Sequence, residues 1–310
     1  MQTIAITGGT GFIGSALCES LSAAGFRPRL LVRSPRRVAK LEARGYETVV
    51  GSLSSASALE ILCEGVGGVI HCAGTVRGRT LDDFLSVNCE GARHLAKALS
   101  QSGRCVPMLM FSSLAAREPQ LSHYARSKRM AEEMLVDEFP GLPWTVLRPP
   151  AVYGPGDREL LPLFRMMARG WALTPGPPEN RVSLVHVRDI ADATLAWLRF
   201  PGQRDRLRDV FPVSDPSVNG YSWREVAATV GEAVGREVRL RRAPAPLLNA
   251  VAALNLALSG FMGYAPMLTP GKVRELQHHD WVCNTRRLSH LLSWEPGIAL
   301  DQGVGPLVRD

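Results

Sequence analysis

The sequence lacks the signals that mark several functional classes. Its cysteines, Cys18, Cys63, Cys72, Cys89, Cys105 and Cys283, form no C-x-x-C and no paired spacing. That argues against a disulfide framework and reads as buried free thiols of a reducing cytoplasm, with no metal expected. No long basic tract is present, although Lys and Arg outnumber Asp and Glu by 36 to 29 for a net charge of +7. The excess is scattered, with local clusters at Arg33, Arg36 and Arg37 and from Arg236 to Arg242. Nucleic acid is therefore not the expected partner, and an anionic small molecule is the simpler use of the charge. There is no internal repeat and no low-complexity segment. The chain opens straight into a strand pattern, so no leader is expected and a cytoplasmic setting is.

One long apolar run stands out, Leu247 to Met262. As a helix it rises about 24 Å, short of the roughly 30 Å bilayer core. Asn249 and Asn255 interrupt it, and Gly260 and Gly263 close it. A spanning helix is not expected. A buried helix, the greasy wall of a substrate pocket and a segment resting on a membrane surface remain as readings. The rest is ordinary: 310 residues, 45% hydrophobic and 21% charged, enough for two domains or one large α/β domain with an elaborated end.

The first fourteen residues carry the strongest signal. A β-branched run, Thr3 to Thr7, leads into Gly8-Gly-Thr-Gly11-Phe-Ile-Gly14, and an Ala/Leu-rich helical pattern follows. Glycines spaced G-x-x-G-x-x-G between a strand and a helix give a tight turn, a close approach to a pyrophosphate and close helix packing. The helix N-terminus favours the negative charge. A dinucleotide site over Gly8, Thr10, Gly11, Phe12, Ile13 and Gly14 is expected; the competing reading is a purely structural βα turn.

Strand-like runs at Thr3–Thr7, Arg29–Arg33, Glu47–Gly51, Val69–Cys72, Met108–Ser112 and Thr145–Arg148 alternate with helical patterns at Ile13–Ala24, Pro35–Ala43, Ala56–Cys63, Leu81–Ser100 and His123–Phe139. The alternation predicts an α/β fold with a doubly wound parallel sheet and ligands at the carboxyl ends of its strands. Residues 1–150 form the expected dinucleotide-binding domain. The sheet is expected to be revisited by Ser183–Val187 and Asp209–Val213, with 151–182 and 214–310 as a smaller, largely helical substrate-binding cap.

The second strand speaks to cofactor choice. NAD readers place an acid near its end for the ribose 2′-hydroxyl. No Asp or Glu occurs from Gly25 to Lys40, whereas Arg33, Arg36, Arg37 and Lys40 do. Arginine matches a 2′-phosphate bidentately, so NADP(H) is favoured over NAD(H), against a merely solvated basic helix start. Ser52 and Leu53 at the third strand end would meet the adenine. Ala73 and Gly74 at the fourth would lie beside the nicotinamide ribose, with His71 structural.

The chemistry is expected at Tyr124-Ala-Arg-Ser-Lys128. Residues four apart share a helix face, so the Lys128 cation can lower the Tyr124 phenol pKa from about 10. Tyr124 then serves as an acid/base near neutrality; otherwise the pair is an exposed helix face. Ser112-Ser113, at the fifth strand end, offers a hydroxyl to a substrate oxygen.

Together with His71-Cys-Ala-Gly74, Asn88-Cys-Glu-Gly91, Leu147-Arg-Pro-Pro-Ala-Val-Tyr-Gly-Pro-Gly-Asp157 and Val185-His-Val-Arg-Asp-Ile-Ala191, these motifs make the chain resemble an extended short-chain dehydrogenase/reductase of the NAD(P)-dependent epimerase/dehydratase family, from Thr3 to about Ala193. The resemblance implies Tyr124 as acid/base, Lys128 on the nicotinamide ribose, and Ser113 as the serine with Ser112 as its fallback. It also implies Asn88 holding the active-site helix or a relay water, Pro149 to Val152 passing the carboxamide, and a homodimer as in many members. Leu114 stands where members often carry Ser or Thr, and Ser52 where many have Asp. Arg181, Arg188 and Lys272 form no recognisable diphosphate set. With the apolar run, this favours an apolar substrate such as a steroid, sterol or isoprenoid alcohol, as in 3β-hydroxysteroid dehydrogenase-like members. The expected reaction is NADP(H)-dependent ketone/alcohol interconversion. Alternatives are a nucleotide-sugar epimerase or dehydratase with bound NAD, and a non-catalytic cofactor-binding assembly protein.

Overall fold

The computed structural model describes residues 1–201 and 207–309. Its elements run β1 (Thr3–Thr7), α1 (Phe12–Ala23), β2 (Arg27–Val32), α2 (Val38–Glu42), β3 (Glu47–Val50), α3 (Ala56–Cys63), β4 (Gly68–His71), α4 (Leu81–Asn88), α5 (Glu90–Gln101), β5 (Met108–Phe111), α6 (His123–Glu138), β6 (Trp144–Arg148) and β7 (Ala151–Tyr153). They continue with α7 (Leu161–Ala168), β8 (Trp171–Thr174), β9 (Arg181–Val182), β10 (Leu184–His186), α8 (Val187–Arg199), β11 (Val210–Pro212), β12 (Tyr221–Ser222), α9 (Trp223–Val234) and β13 (Arg239–Arg242). The C-terminal part holds α10 (Ala245–Met262), α11 (Pro270–Gln277), β14 (Asp280–Trp281), α12 (Arg286–Leu292) and α13 (Leu300–Val308).

Seven parallel strands form the central sheet in the order β11-β6-β5-β4-β1-β2-β3. Helices cover both faces, so β1 and β4 are buried on both sides, and Ile4, Ala5, Ile6, Val69 and Ile70 are wholly buried. The chain winds one way from β1 to β3 and the other from β4 outward. The strand order therefore reverses between β1 and β4, where Thr7 lies opposite His71. A crevice opens beyond such a reversal, at the carboxyl ends of the strands.

Two expectations change, and one of the open readings of the apolar run closes. Leu184–His186 does not rejoin the main sheet: it pairs with Ala151–Tyr153 in a separate two-stranded ladder. Pro149 and Pro150, which lack N–H donors, end β6 and carry the chain off the sheet. The helix expected over Leu81–Ser100 is two, meeting at Cys89, and α4 opens on a Thr80/Asp83 capping box. The apolar run is not buried. Only Ala252 and Ser259 of α10 are enclosed, and Phe261 is 91% exposed.

Residues of the last third divide between cores. Leu288 and Leu292 of α12 join the core under β1 and β2. Trp223, Val226 and Val230 of α9 pack with Leu300 and Val304 of α13 around Tyr153 and Phe164.

Candidate active site

The glycine turn is shaped for a close neighbour. Gly8 has φ +73°, and a Cβ there would come within 2.6 Å of the Ala73 nitrogen at the end of β4. At Gly14 a Cβ would lie 2.8 Å from Gly9 Cα. Neither place admits a side chain. Gly11 is the N-cap of α1; no side chain caps the helix and no acid stands in its first turn. The first-turn N–H groups have no partner within the helix, which suits an anion. Thr10 is exposed, Phe12 is half-buried, and the Ile13 side chain packs on the core beneath. A pyrophosphate fits this cradle, so Gly8 to Gly14 can hold a dinucleotide.

Past β2, Arg33, Arg36 and Arg37 are exposed, and among the described residues none forms an ion pair. Past β3, the Ser52 hydroxyl bonds that of Ser54 at 2.8 Å. Leu53 packs against Gly91, where a Cβ would lie 2.6 Å from Leu53 Cδ1. Past β4, His71 Nδ1 lies 2.7 Å from the Thr7 hydroxyl, and burial holds the imidazole down to about 3, hence neutral. Gly74 runs beside two α-helical side chains: a Cβ there would lie 3.2 Å from Lys128 Nζ and 3.0 Å from Asn88 Oδ1.

The two serines after β5 part ways. Ser112 is buried and donates its hydroxyl to Glu132, which also pairs with Arg148. Ser113 accepts from the Ala115 amide at 3.2 Å, and its hydroxyl acts on the Tyr124 phenol by pulling that pKa down. Ser113, not Ser112, faces Tyr124.

Ser122 caps α6 by accepting from the Ala125 amide at 2.9 Å. Tyr124 and Lys128 follow in the first turns. Asn88 braces the helix: its amide donates to Ser127 Oγ at 2.9 Å, and its carbonyl accepts from the Thr75 amide at 2.8 Å. Lys128 Nζ donates to the Phe111 carbonyl at 2.9 Å. The phenol is not lowered by the lysine as the helical spacing predicts. Desolvation outweighs every other influence and raises the Tyr124 phenol to about 12, while burial lowers Lys128 to about 8. The ammonium is turned toward a carbonyl rather than the phenol.

Several residues stand around Tyr124 that the sequence did not place there. Phe84 meets its ring edge-on at 6.2 Å. From α11, Lys272 Nζ stands 5.9 Å from the ring centroid. Lys272 also pairs at 2.8 Å with buried Glu275, which accepts from Ser122 and pushes the phenol pKa upward. Tyr124 opens into a pocket of about 140 Å³ walled in part by Phe84, Leu256, Met267 and Lys272. Pro149 is buried, with its carbonyl bonded to the Leu114 amide at 2.9 Å. Val152 packs on the sheet core. Arg181 is held by the Asn219 and Gly220 carbonyls, away from Tyr124's partners.

A glycine cradle at the reversal of strand order, with a Ser/Tyr/Lys set above the next strand ends, defines a nicotinamide-dependent class. The model of the NAD dependent epimerase/dehydratase family matches residues 4–210, and the chain belongs to that family, as an oxidoreductase of its extended short-chain type. It is 38% identical to ceramide reductase of Caulobacter vibrioides, covering 90% of this chain and 85% of that one. It is 24% identical to sterol-4-alpha-carboxylate 3-dehydrogenase (decarboxylating) of Saccharomyces cerevisiae, over 98% and 96%. The fold is shared with dTDP-glucose 4,6-dehydratase of Bacillus anthracis in complex with NAD, at TM-score 0.74 and 17% identity, covering 100% of this chain and 96% of that one.

Proposed function

We propose that the protein is an NADPH-dependent reductase of a lipid-like ketone. The observation that carries this reading is Tyr124, its phenol acted on by Ser113, standing in the wall of a pocket bounded in part by Leu256 and Met267. The cofactor, when bound, supplies the hydride. Ser113 and Tyr124 hold the carbonyl oxygen, and Tyr124 donates the proton as the alcohol forms. A phenol raised to about 12 keeps that proton until the oxygen becomes basic. Lys128, held by the Phe111 carbonyl on a helix that Asn88 braces through Ser127, binds the nicotinamide ribose. Arg33 and Arg36 take the 2′-phosphate, Ser52 and Leu53 border the adenine, and Pro149 and Val152 border the carboxamide.

A space of about 140 Å³ takes a ketone and a few carbons, so the rest of a large substrate leaves past Leu256 and Met267. The relatives named for a ceramide and a sterol carboxylate favour an apolar body. The test is NADPH oxidation at 340 nm with 3-keto steroids and long-chain keto lipids, set against nucleotide sugars. Turnover on the lipid ketones is expected. Conversion of a nucleotide sugar with no net cofactor change would instead mean an epimerase.

A further inference from the structure

The apolar helix presents its large side chains outward. At 3.6 residues per turn, Leu247, Val251, Leu254, Leu258 and Phe261 fall within about 80° of one another. All are exposed, Leu254 by 60% and Phe261 by 91%. The side turned to the fold is Ala252, Leu256 and Ser259. An exposed apolar stripe of this length is costly in water and marks a contact surface.

The neighbouring ribbon has the same character. Strands β8 and β13 pair in parallel with Trp171 opposite Arg239 and Leu173 opposite Arg241. These four alternate positions are exposed, whereas Ala172 and Thr174 are buried. β13 runs through Ala243 and Pro244 directly into α10. No acidic residue stands between Glu237 and Glu275, while Arg239, Arg241, Arg242, Lys272 and Arg274 do. Among the described residues, none of the three β13 arginines forms an ion pair.

We propose that the outer face of α10, with Trp171, Leu173, Arg239 and Arg241, docks the protein on an anionic lipid bilayer. An apolar helical stripe with Trp beside it and arginine rather than acid around it matches a membrane interface in both polarity and charge. An isologous contact between two copies would instead set two acid-free, arginine-bearing regions against each other. The helix lies on the membrane rather than across it. Although long and apolar enough to span, it is tied to the fold by the Asn255 amide on the Leu268 carbonyl at 2.8 Å and by packing on α11. Leu256, on the inner side of the same helix, lines the Tyr124 pocket, so the pocket mouth sits beside the docked surface. That last consequence rests on the lipid-ketone reading; the docking does not.

The test is co-sedimentation of the purified chain with vesicles of phosphatidylcholine alone, and of phosphatidylcholine with about a third phosphatidylglycerol. Binding to the anionic vesicles, weakened by salt and at least about tenfold weaker on neutral ones, is expected. The triple variant Leu254→Ser, Leu258→Ser, Phe261→Ser should lose it by about tenfold or more with an unchanged melting temperature and NADPH affinity. Should that variant fold poorly, the pair Arg239→Glu, Arg241→Glu should abolish the anionic preference. Failure of the wild type to sediment, or wild-type binding by both variants, would overturn the proposal. So would a dimer in solution that the stripe substitutions convert to monomer. Because vesicle binding needs no turnover, a protein that docks yet reduces no lipid ketone would refute the reductase reading alone.

Discussion

Ser112 and Ser113 are adjacent in the chain but serve different partners: Ser112 donates to Glu132, and Ser113 lowers the pKa of the Tyr124 phenol. The division follows from the strand end. Ser112, still in register beyond β5, turns into the interior, where buried Glu132 pairs with half-buried Arg148. Ser113 has left the strand, caps the short helical turn Leu114–Arg117 and acts on Tyr124. Ser113→Ala is expected to lower kcat/KM by about a hundredfold while sparing the fold. Ser112→Ala should leave turnover within a few-fold but cost about 1–3 kcal/mol of stability, because Glu132 loses a buried donor. Kinetics and denaturant melts on the two variants separate these effects, and interchanged results would contradict the assignment.

Arg33 and Arg36 stand just past β2, and among the described residues neither has a carboxylate partner. Replacing Arg33 by Glu should weaken NADPH binding by about tenfold or more and leave NADH nearly unaffected, since the charge at stake is the 2′-phosphate. Fluorescence titration with both cofactors checks this. An unchanged preference would mean that Arg33 does not read the phosphate.

Lys128 is lowered to about 8 by burial. Its cation is present at pH 7 and lost as the pH rises through that value. The reductive kcat/KM should therefore fall above pH 8, approaching tenfold per unit. Lys128→Arg should remove that limb from the working range, because arginine stays charged. A profile flat to pH 10 in the wild type would exclude a role for the cation.

Buried His71 is held at about 3, well below its usual 6.5. Between these values the unfolded chain binds a proton that the folded chain does not. This contribution to stability is complete above pH 6.5 and is lost as the pH falls toward 3, at up to about 1.4 kcal/mol per unit. His186, lowered to about 4, acts in the same direction. Urea midpoints from pH 7.5 to 4.5 should drop steeply, and less steeply in His71→Gln. Equal slopes in both proteins would mean that His71 does not titrate this way.

Much of the fold was legible because its determinants are local. The strand–glycine–helix opening and the apolar runs of β4 and β5 fix both period and order. The departure of Leu184–His186 from the main sheet was not legible, since a short apolar run does not say which ladder it joins. Within the site, Tyr124, Lys128 and the serine pair carried motif spacing. The sequence could not reveal that Ser112 is engaged by Glu132, or that Lys272 and Glu275 of α11 reach Tyr124, because those contacts span 20 to 153 residues of chain. The sign of the Tyr124 shift also escaped: helical spacing locates a cation, but enclosure decides the phenol. The apolar α10 read equally well as core, and only its exposure in three dimensions separates the readings.

The central claim is that Tyr124 delivers the proton in an NADPH-dependent ketone reduction. The most direct measurement is 340 nm turnover of wild type and Tyr124→Phe on the same lipid ketone, with NADPH affinity measured alongside by fluorescence. The account predicts a loss of at least about a thousandfold in kcat with NADPH affinity nearly unchanged. Turnover by Tyr124→Phe near the wild-type rate would contradict it.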